Sequence, residues 1–278
     1  MIISLVIISF SILNFGIELT LDKSVCGFQF TEGPLWVKDV GWIFSDIPAN
    51  TIFKLNRSVF IPQSGNSNGL AIDRKGRIFI AEHGNRCISV LKTVGGEREV
   101  YVNSFGDKRF NSPNDLVVSS KGEIFFTDPP YGLPGGLEGP NSELGFSGIF
   151  KVCKDKRVVL LNKNLKKPNG IALSNDESIL FVADTEQDAV FKFRLGENKE
   201  SLKEEFFASV PHPDGIKIDK HDRLWVTSSK GLVVFDINGN ELYVLSLPKQ
   251  PSNCAFGGVS GKELLITARD CVYLYTLK

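Results

Sequence analysis

Short apolar runs alternate with polar turns along this chain, and the alternation recurs as a unit. In one unit, the apolar runs 116–118 (LVV) and 124–126 (IFF) flank a polar turn that contains Gly122. Two β-rich runs joined by a short glycine-bearing turn predict a β-hairpin. The runs are continuously apolar, which indicates strands that are buried on both faces.

Six such units follow one another, and each opens with a short polar turn. The turns are Glu32-Gly33-Pro34, Asn68-Gly69, Pro113-Asn114-Asp115, Pro168-Asn169-Gly170, Pro213-Asp214-Gly215 and Ser252-Asn253-Cys254. Their polar residues recur 36, 46, 55, 45 and 39 positions apart. Periods of this size with several strands each are typical of propellers. We therefore predict an all-β fold, a six-bladed β-propeller with four-stranded blades and little helix.

A second polar position follows each turn at a nearly constant distance. It lies 14 positions after the turn residue in most units and 15 in the fourth, at Asp46, Glu82, Asp128, Asp184, Ser228 and Thr267. Further apolar runs at 89–91, 148–152, 189–193 and 231–235 are predicted as outer strands. The stretch between Asp128 and Gly148 is rich in proline and glycine and predicts a long loop, either a lid or binding loop or a mobile insertion.

The charge of the chain excludes some classes of partner. Its 32 basic and 32 acidic residues give a formal net charge of zero and are dispersed, so we expect no binding to nucleic acid. Residues 1–13 are apolar apart from serines, a stretch too short to span a bilayer reliably. We predict a signal or apolar leader at 1–16 and the propeller domain at 17–278, with export favoured over a cytoplasmic location; an uncleaved anchor or a misplaced start are the alternatives.

The five cysteines are odd in number and lack the spacing of a zinc site, so we expect most of them to be buried as small apolar residues. Cys26 and Cys271 are a possible exception. They lie in the segments that would close the propeller ring, where a disulfide could join them.

The six turns are expected to converge near the axis, because the innermost strand of each blade runs along the central channel. They contribute two carboxylates and four amides: Glu32, Asn68, Asn114, Asn169, Asp214 and Asn253. Oxygen ligands favour a hard divalent cation such as calcium or magnesium, with manganese acceptable and zinc possible. We assign Asn68 and Asn253 to turn chemistry. The other four residues are the predicted metal site.

Ordered motifs across about residues 24–278 resemble the gluconolactonase branch of the regucalcin (senescence marker protein) family. They are EGPLW (32–36), EHGNR (82–86), RFNSPND (109–115), FTDPPYG (126–132), PNG (168–170), PDG (213–215) and NCAFGG (253–258). The resemblance implies a six-bladed propeller that holds one divalent metal, calcium first, in its channel and hydrolyses sugar lactones and related esters.

The resemblance also implies roles for individual residues. Glu32, Asn169 and Asp214 would be metal ligands, and Asp214 would be the general base. Asn114 would be a ligand or would contact substrate or a bound water. Arg109 lies in the region of the family's substrate-binding arginine.

Two further polar residues are candidates for contact with substrate. His83 lies in a glycine-flanked turn after a strand, where it could face substrate or make a structural hydrogen bond. Asp128 ends its strand at the long loop, where it could contact substrate or cap that loop.

The leading functional hypothesis is a metal-dependent hydrolase that opens aldonolactones, with gluconolactone as the first candidate. One alternative keeps the metal site and changes the substrate to an organophosphate or aryl ester. Another is a non-catalytic propeller that binds calcium or a ligand, because a fold alone does not establish catalysis. We expect a small-molecule lactone as the partner and a monomeric protein.

Overall fold

The computed structural model describes residues 16–196 and 202–278. These residues form six four-stranded antiparallel sheets, and the innermost strands of neighbouring sheets contact one another in a closed ring. The predicted all-β, six-bladed propeller is therefore confirmed. Residues 1–15 of the predicted leader lie outside the described residues. No helix among the described residues is long and apolar enough to cross a membrane.

The first strand of the described residues, β1 (Leu19–Cys26), belongs to the last blade. Blade 1 follows with β2 (Thr31–Val37), β3 (Gly41–Asp46), β4 (Thr51–Lys54) and β5 (Val59–Pro62). Blade 2 contains β6 (Ser67–Ile72), β7 (Ile78–Glu82), β8 (Cys87–Leu91) and β9 (Arg98–Val102). A small hairpin of β10 (Ser104–Phe105) and β11 (Lys108–Arg109) separates this blade from the next.

Blade 3 contains β12 (Leu116–Val118), β13 (Ile124–Asp128), β14 (Gly148–Val152) and β15 (Val158–Asn162). Blade 4 contains β16 (Pro168–Leu173), β17 (Ile179–Asp184), β18 (Ala189–Arg194) and β19 (Glu205–Ser209). Blade 5 contains β20 (Ile216–Ile218), β21 (Leu224–Ser228), β22 (Gly231–Phe235) and β23 (Glu241–Leu245). Blade 6 contains β24 (Asn253–Gly257), β25 (Glu263–Ala268) and β26 (Cys271–Leu277), with β1 as its outermost strand.

The predicted outer strands are the third strands of their blades. β8, β14, β18 and β22 each have a further strand on their outer side, which the sequence pattern did not indicate. These fourth strands are only partly buried; β9, for example, has exposed residues in its middle. A strand at the rim of a blade has one wet face, so its sequence lacks the continuous apolar run that marks the inner strands.

The hydrophobic core lies between the blades. In blade 2, Phe79 and Ala81 pack towards blade 3, whereas Ile78 and Ile80 on the same strand pack towards blade 1. Successive side chains of a strand point to opposite faces, so both faces of an inner strand are covered by a neighbouring blade. This arrangement explains the continuously apolar runs in the sequence.

The ring is closed by the pairing of β1 with β26. Cys26 lies opposite Cys271 in this pairing, and the two form a disulfide that links positions 245 residues apart. The bond joins the N-terminal strand to the C-terminal strand of blade 6. The other three cysteines, Cys87, Cys153 and Cys254, are free, and Cys87 and Cys254 are buried.

Candidate functional site

The polar position that follows each turn by 14 or 15 residues carries an aspartate in three blades, and this carboxylate anchors the inner strands. In blades 1, 3 and 4, this aspartate ends the second strand and accepts two backbone N–H groups from the segment that leads into the first strand. The donors are Gln29 and Phe30 to Asp46, Asn111 and Ser112 to Asp128, and Lys166 and Lys167 to Asp184, at 2.7–3.2 Å. These residues hold in place the turns that face the channel.

Asp128 thus makes the contacts of a structural residue. Its side chain is completely buried, and it does not line the cavity described below. Burial raises the pKa of Asp128 to about 7, although the N–H groups of Asn111 and Ser112 and the charge of Arg86 act in the opposite direction. The alternative of loop capping fits these contacts.

The glycines of the polar turns permit a close approach between neighbouring inner strands. The N–H of Gly170 donates to the carbonyl oxygen of Asp214 at 2.9 Å, and a Cβ at Gly170 would overlap with that oxygen. Gly69 likewise donates to the carbonyl oxygen of Asn114 at 2.8 Å. These hydrogen bonds connect blade 2 to blade 3 and blade 4 to blade 5, and they bring polar turn residues together around the channel.

A cavity of about 510 Å³ lies where these turns meet. Its walls are formed by Phe30, Glu32, Ile47, Asn68, His83, Asn114, Tyr131, Asn169, Thr185, His212, Asp214, Ser229, Gln250 and Arg269. The structure thus brings together the four residues of the predicted metal site. It also places His83 and Asn68 in the same wall, although Asn68 had been assigned to turn chemistry.

The carboxylates of Glu32 and Asp214 face the same cavity. Burial raises the pKa of Glu32 to about 7, and the charge of Asp115 adds to this effect. The Glu32 carboxylate accepts the N–H of Gly33 at 2.9 Å and the side-chain amide of Asn253 at 3.0 Å, which act in the opposite direction. Glu32 is thus held in one orientation by two donors.

The proton affinity of Asp214 is raised for the same reasons. Burial raises the pKa of Asp214 well above its usual value, and the negative charges of Glu32 and Asp115 raise it further. The side-chain amide of Asn169 hydrogen-bonds Asp214 and opposes this shift. Two desolvated carboxylates of like charge are costly to ionise unless a cation lies between them.

The donor set fits a hard divalent cation. Glu32 and Asp214 supply carboxylates, and Asn114 and Asn169 supply amides on the same wall. The amide oxygen of Asn68 is buried there without a hydrogen-bond partner among the described residues, so a further oxygen is left unsatisfied. The described residues contain no metal-binding cluster of three or more His, Cys, Asp or Glu side chains, and the candidate site depends on amides instead.

His83 lies in the cavity wall as a neutral imidazole. Burial lowers the pKa of His83 to about 4. Its Nε2 atom lies 3.2 Å from the side-chain nitrogen of Asn68. Both expectations for His83 are therefore compatible with its position, because it makes a structural hydrogen bond and also faces the cavity.

Arg109, which was expected near substrate, is not among the residues that line the cavity. It lies exposed on β11, where its guanidinium donates to the carbonyl oxygen of Asn85 at 2.9 Å. Its backbone N–H donates to Glu143 of the long loop at 2.8 Å. The contacts of Arg109 tie surface segments together outside the site.

Sequence reasoning missed several wall residues. Arg269 donates to the side-chain oxygen of Gln250 at 2.6 Å and lies over the ring of Phe30. Tyr131 comes from the long loop, which therefore contributes to the binding cavity, and burial raises its pKa to about 12. A periodic signal was present: Ile47, His83, Thr185 and Ser229 each directly follow the second polar position of their unit.

Comparisons with known proteins agree with this architecture. A family model described as the SMP-30/gluconolactonase/LRE-like region matches residues 30–270. A gluconolactonase of Zymomonas mobilis is 35% identical over 272 residues, with 86% of this chain and 76% of that protein covered. A solved gluconolactonase from Xanthomonas campestris is 30% identical, with a TM-score of 0.81 and coverage of 92% and 89%. Another solved structure, of a protein to which a gluconolactonase function has been ascribed, is 28% identical, with a TM-score of 0.86; 95% of this chain and 93% of that chain are covered.

The chain belongs to the SMP-30/gluconolactonase/LRE-like family.

Proposed function

We propose that this protein is a divalent-metal-dependent hydrolase that opens sugar lactones, with gluconolactone to gluconate as the leading reaction. The observation that carries the proposal is the pair of carboxylates, Glu32 and Asp214, that face one cavity beside Asn114 and Asn169. A scaffold would gain nothing from two desolvated carboxylates at one axis. Membership of the family and the two gluconolactonases above support the choice of substrate.

Glu32, Asn169 and Asp214 would hold the cation, and Asn114 would be a further ligand or would contact substrate. Calcium is the expected ion, because mixed carboxylate and amide oxygens suit it. When bound, the cation supplies Lewis acidity that polarises the lactone carbonyl.

Asp214 is the proposed general base. Its carboxylate takes a proton from the attacking water as the water oxygen bonds to the carbonyl carbon. The bond from that carbon to the ring oxygen then breaks, and the ring oxygen receives a proton to become a hydroxyl. Water and lactone thus give one hydroxy acid.

The remaining wall residues would bind the sugar. A cavity of about 510 Å³ lies within the usual range for small-molecule sites. His83, Tyr131 and Thr185 present an imidazole and two hydroxyl groups to it, which suit a ligand that carries several hydroxyls. Phe30 and Ile47 supply apolar wall for the carbon face of the ring.

Substitution of Asp214 tests the proposal. We expect Asp214→Ala to lower acid release from gluconolactone by about 100-fold or more, and a chelator to abolish the wild-type rate until calcium is restored. Asp155→Ala, which removes an exposed carboxylate, is the matched control and should retain the wild-type rate.

A panel of lactones, aryl esters and phosphotriesters separates the competing functions. Faster turnover of an ester or phosphotriester than of any lactone would contradict the substrate class. Absence of turnover on the whole panel by metal-loaded protein would contradict catalysis. Unchanged metal content in Glu32→Gln and Asn169→Ala would contradict the proposed ligands.

We also propose that the protein is exported. Structural disulfides persist mainly in oxidising compartments, and the Cys26–Cys271 bond closes the propeller ring. Protein isolated from its native host under alkylating conditions should show three reactive thiols after unfolding rather than five. Five thiols in protein from the cytoplasmic fraction would contradict export.

A further inference from the structure

An ion pair between a partly exposed lysine and a buried aspartate joins two blades across the central channel. Lys217 of blade 5 places its Nζ atom 3.3 Å from Oδ2 of Asp115 in blade 3. Asp115 is 1% exposed. Lys217 also lines a second, largely apolar cavity of about 310 Å³ that is formed by the inner strands. The pair therefore lies between the candidate metal site and this second cavity.

Asn253 of blade 6 connects this pair to the candidate metal site. Its side-chain amide donates to Oδ2 of Asp115 at 3.3 Å and to Oε2 of Glu32 at 3.0 Å. A chain of contacts thus runs from Lys217 through Asp115 and Asn253 to Glu32. Asn253 had been assigned to turn chemistry, and its side chain is instead buried in this network.

Asp115 stands at a position that glycine occupies in most blades. The residue after the polar turn residue is glycine in blades 1, 2, 4 and 5, at Gly33, Gly69, Gly170 and Gly215. In blade 3 it is Asp115, and the neighbouring Gly69 leaves space for it, because a Cβ at Gly69 would lie 2.6 Å from Oδ1 of Asp115. A buried carboxylate is costly unless a charge compensates it.

The charges of the pair act on the metal site from below. The side-chain amide of Asn253 bridges the carboxylates of Asp115 and Glu32, so the negative charge of Asp115 lies close to the candidate site. With Asp115 alone, a third negative charge would lie beside the two carboxylates that face the cavity. With Lys217 present, the charge of Asp115 is cancelled and two carboxylates remain.

We propose that the Asp115–Lys217 pair is a positioning element that sets the charge of the metal centre to that of two carboxylates and orients Glu32 through Asn253. The inference rests on the proposed metal site. It assigns opposite effects to the two members of the pair, whereas a purely structural role would make both substitutions harmful in the same direction.

The proposal predicts whether each substitution raises or lowers calcium affinity, and competition with a chromogenic chelator measures this affinity. We expect Lys217→Met to tighten calcium binding and Asp115→Asn to weaken it, each by about tenfold, because one uncompensated charge acts on a divalent ion through a poorly solvated site. The double variant should return to within about threefold of wild type. Lys217→Arg should also keep the wild-type affinity.

Lys230→Met is the matched control, because it removes an exposed lysine that pairs with Glu241 at 2.7 Å. It should leave calcium affinity unchanged. Urea unfolding in chelator checks that each variant folds; if Lys217→Met alone does not, weaker binding by Asp115→Asn and recovery in the double variant still test the proposal.

Weaker binding by both single variants, without recovery in the double variant, would overturn the inference alone. Wild-type protein that binds no divalent cation would overturn the proposed metal site and the inference with it. Opposite shifts with recovery would support both.

Discussion

At the scale of single residues, the two series of carboxylates differ in what surrounds them. Asp128 is enclosed by protein and accepts two backbone N–H groups. Asp214 is less completely enclosed and faces a cavity and a second carboxylate, Glu32. The first environment holds a turn in place, and the second leaves a negative charge that a ligand can compensate. Residue type alone did not separate these environments.

The raised pKa of Asp128 predicts how the stability of the protein depends on pH. Burial raises the pKa of Asp128 to about 7, above its ordinary value of 3.8, so the folded state retains a proton that the unfolded state has lost. The free energy of unfolding should therefore fall as pH rises from about 4 to 7 because of this group. We expect Asp128→Asn to flatten this fall by up to a few kcal/mol in urea titrations at each pH.

Asp155→Asn, at an exposed carboxylate, serves as the control and should keep the wild-type slope. The groups of the metal site contribute equally to wild type and variant when chelator is present in both. An unchanged slope in Asp128→Asn would contradict the raised pKa.

The position of Arg109 leads to a prediction about substrate binding, which the family resemblance had implied for this residue. Its guanidinium lies outside the cavity, so we expect Arg109→Ala to change kcat/KM for the lactone less than about threefold. Asn114→Ala, in the cavity wall, should lower it by about tenfold or more, as the loss of a buried polar contact with the site would do. A larger loss in Arg109→Ala than in Asn114→Ala would reverse these assignments.

At the scale of strands and turns, the glycine that follows the polar turn residue in four blades is required for two different reasons. Asn-Gly and Asp-Gly were predicted as turn formers from their backbone freedom. In the structure, only Gly33 among the glycines that follow the polar turn residues has a positive φ, and Gly69, Gly170 and Gly215 are needed because the next blade is too near for a side chain. The contact is between blades, so local turn chemistry could not reveal it.

Gly170→Ala tests this packing. A Cβ at Gly170 would lie 2.6 Å from the backbone nitrogen of Ile216 and would overlap with the carbonyl oxygen of Asp214. We expect the free energy of unfolding, measured with urea, to fall by about 1–3 kcal/mol. The neighbouring atoms belong to the backbone, which cannot move aside as easily as a flexible side chain. Gly196→Ala, where a Cβ meets no atom of the described residues within 4 Å, should be nearly neutral. Equal stability of the two variants would contradict close packing of the blades.

At the scale of the whole molecule, the ring is held closed by its two ends. β1 is the outermost strand of blade 6, and the Cys26–Cys271 bond fastens it to β26. The closing contacts reach the site: Thr31, next to Glu32, donates through its hydroxyl to the carbonyl oxygens of Arg269 and Cys271 at 3.0 and 2.8 Å. Closure of the ring and the position of Glu32, a proposed metal ligand, are thus connected.

Removal of the disulfide should weaken the whole domain. The bond joins residues 245 positions apart, so its loss raises the conformational entropy of the unfolded chain considerably. We expect Cys26→Ser/Cys271→Ser to lower the free energy of unfolding by about 2–5 kcal/mol in urea titrations. A reductant should destabilise wild type by a similar amount and leave the double variant unchanged. Further destabilisation of the double variant by reductant would contradict this explanation.

The sequence by itself determined the number of blades, the inner hairpins and the ring of polar turns, because strand periodicity and turn chemistry depend on residues close together in the chain. Tertiary structure alone decided which polar residues face the cavity, which ones anchor backbone, and that Asp115 meets Lys217 across the channel. That last contact joins residues 102 positions apart, and the disulfide joins residues 245 apart. Such contacts depend on how the blades pack around the axis, and no local pattern in the chain encodes that distance.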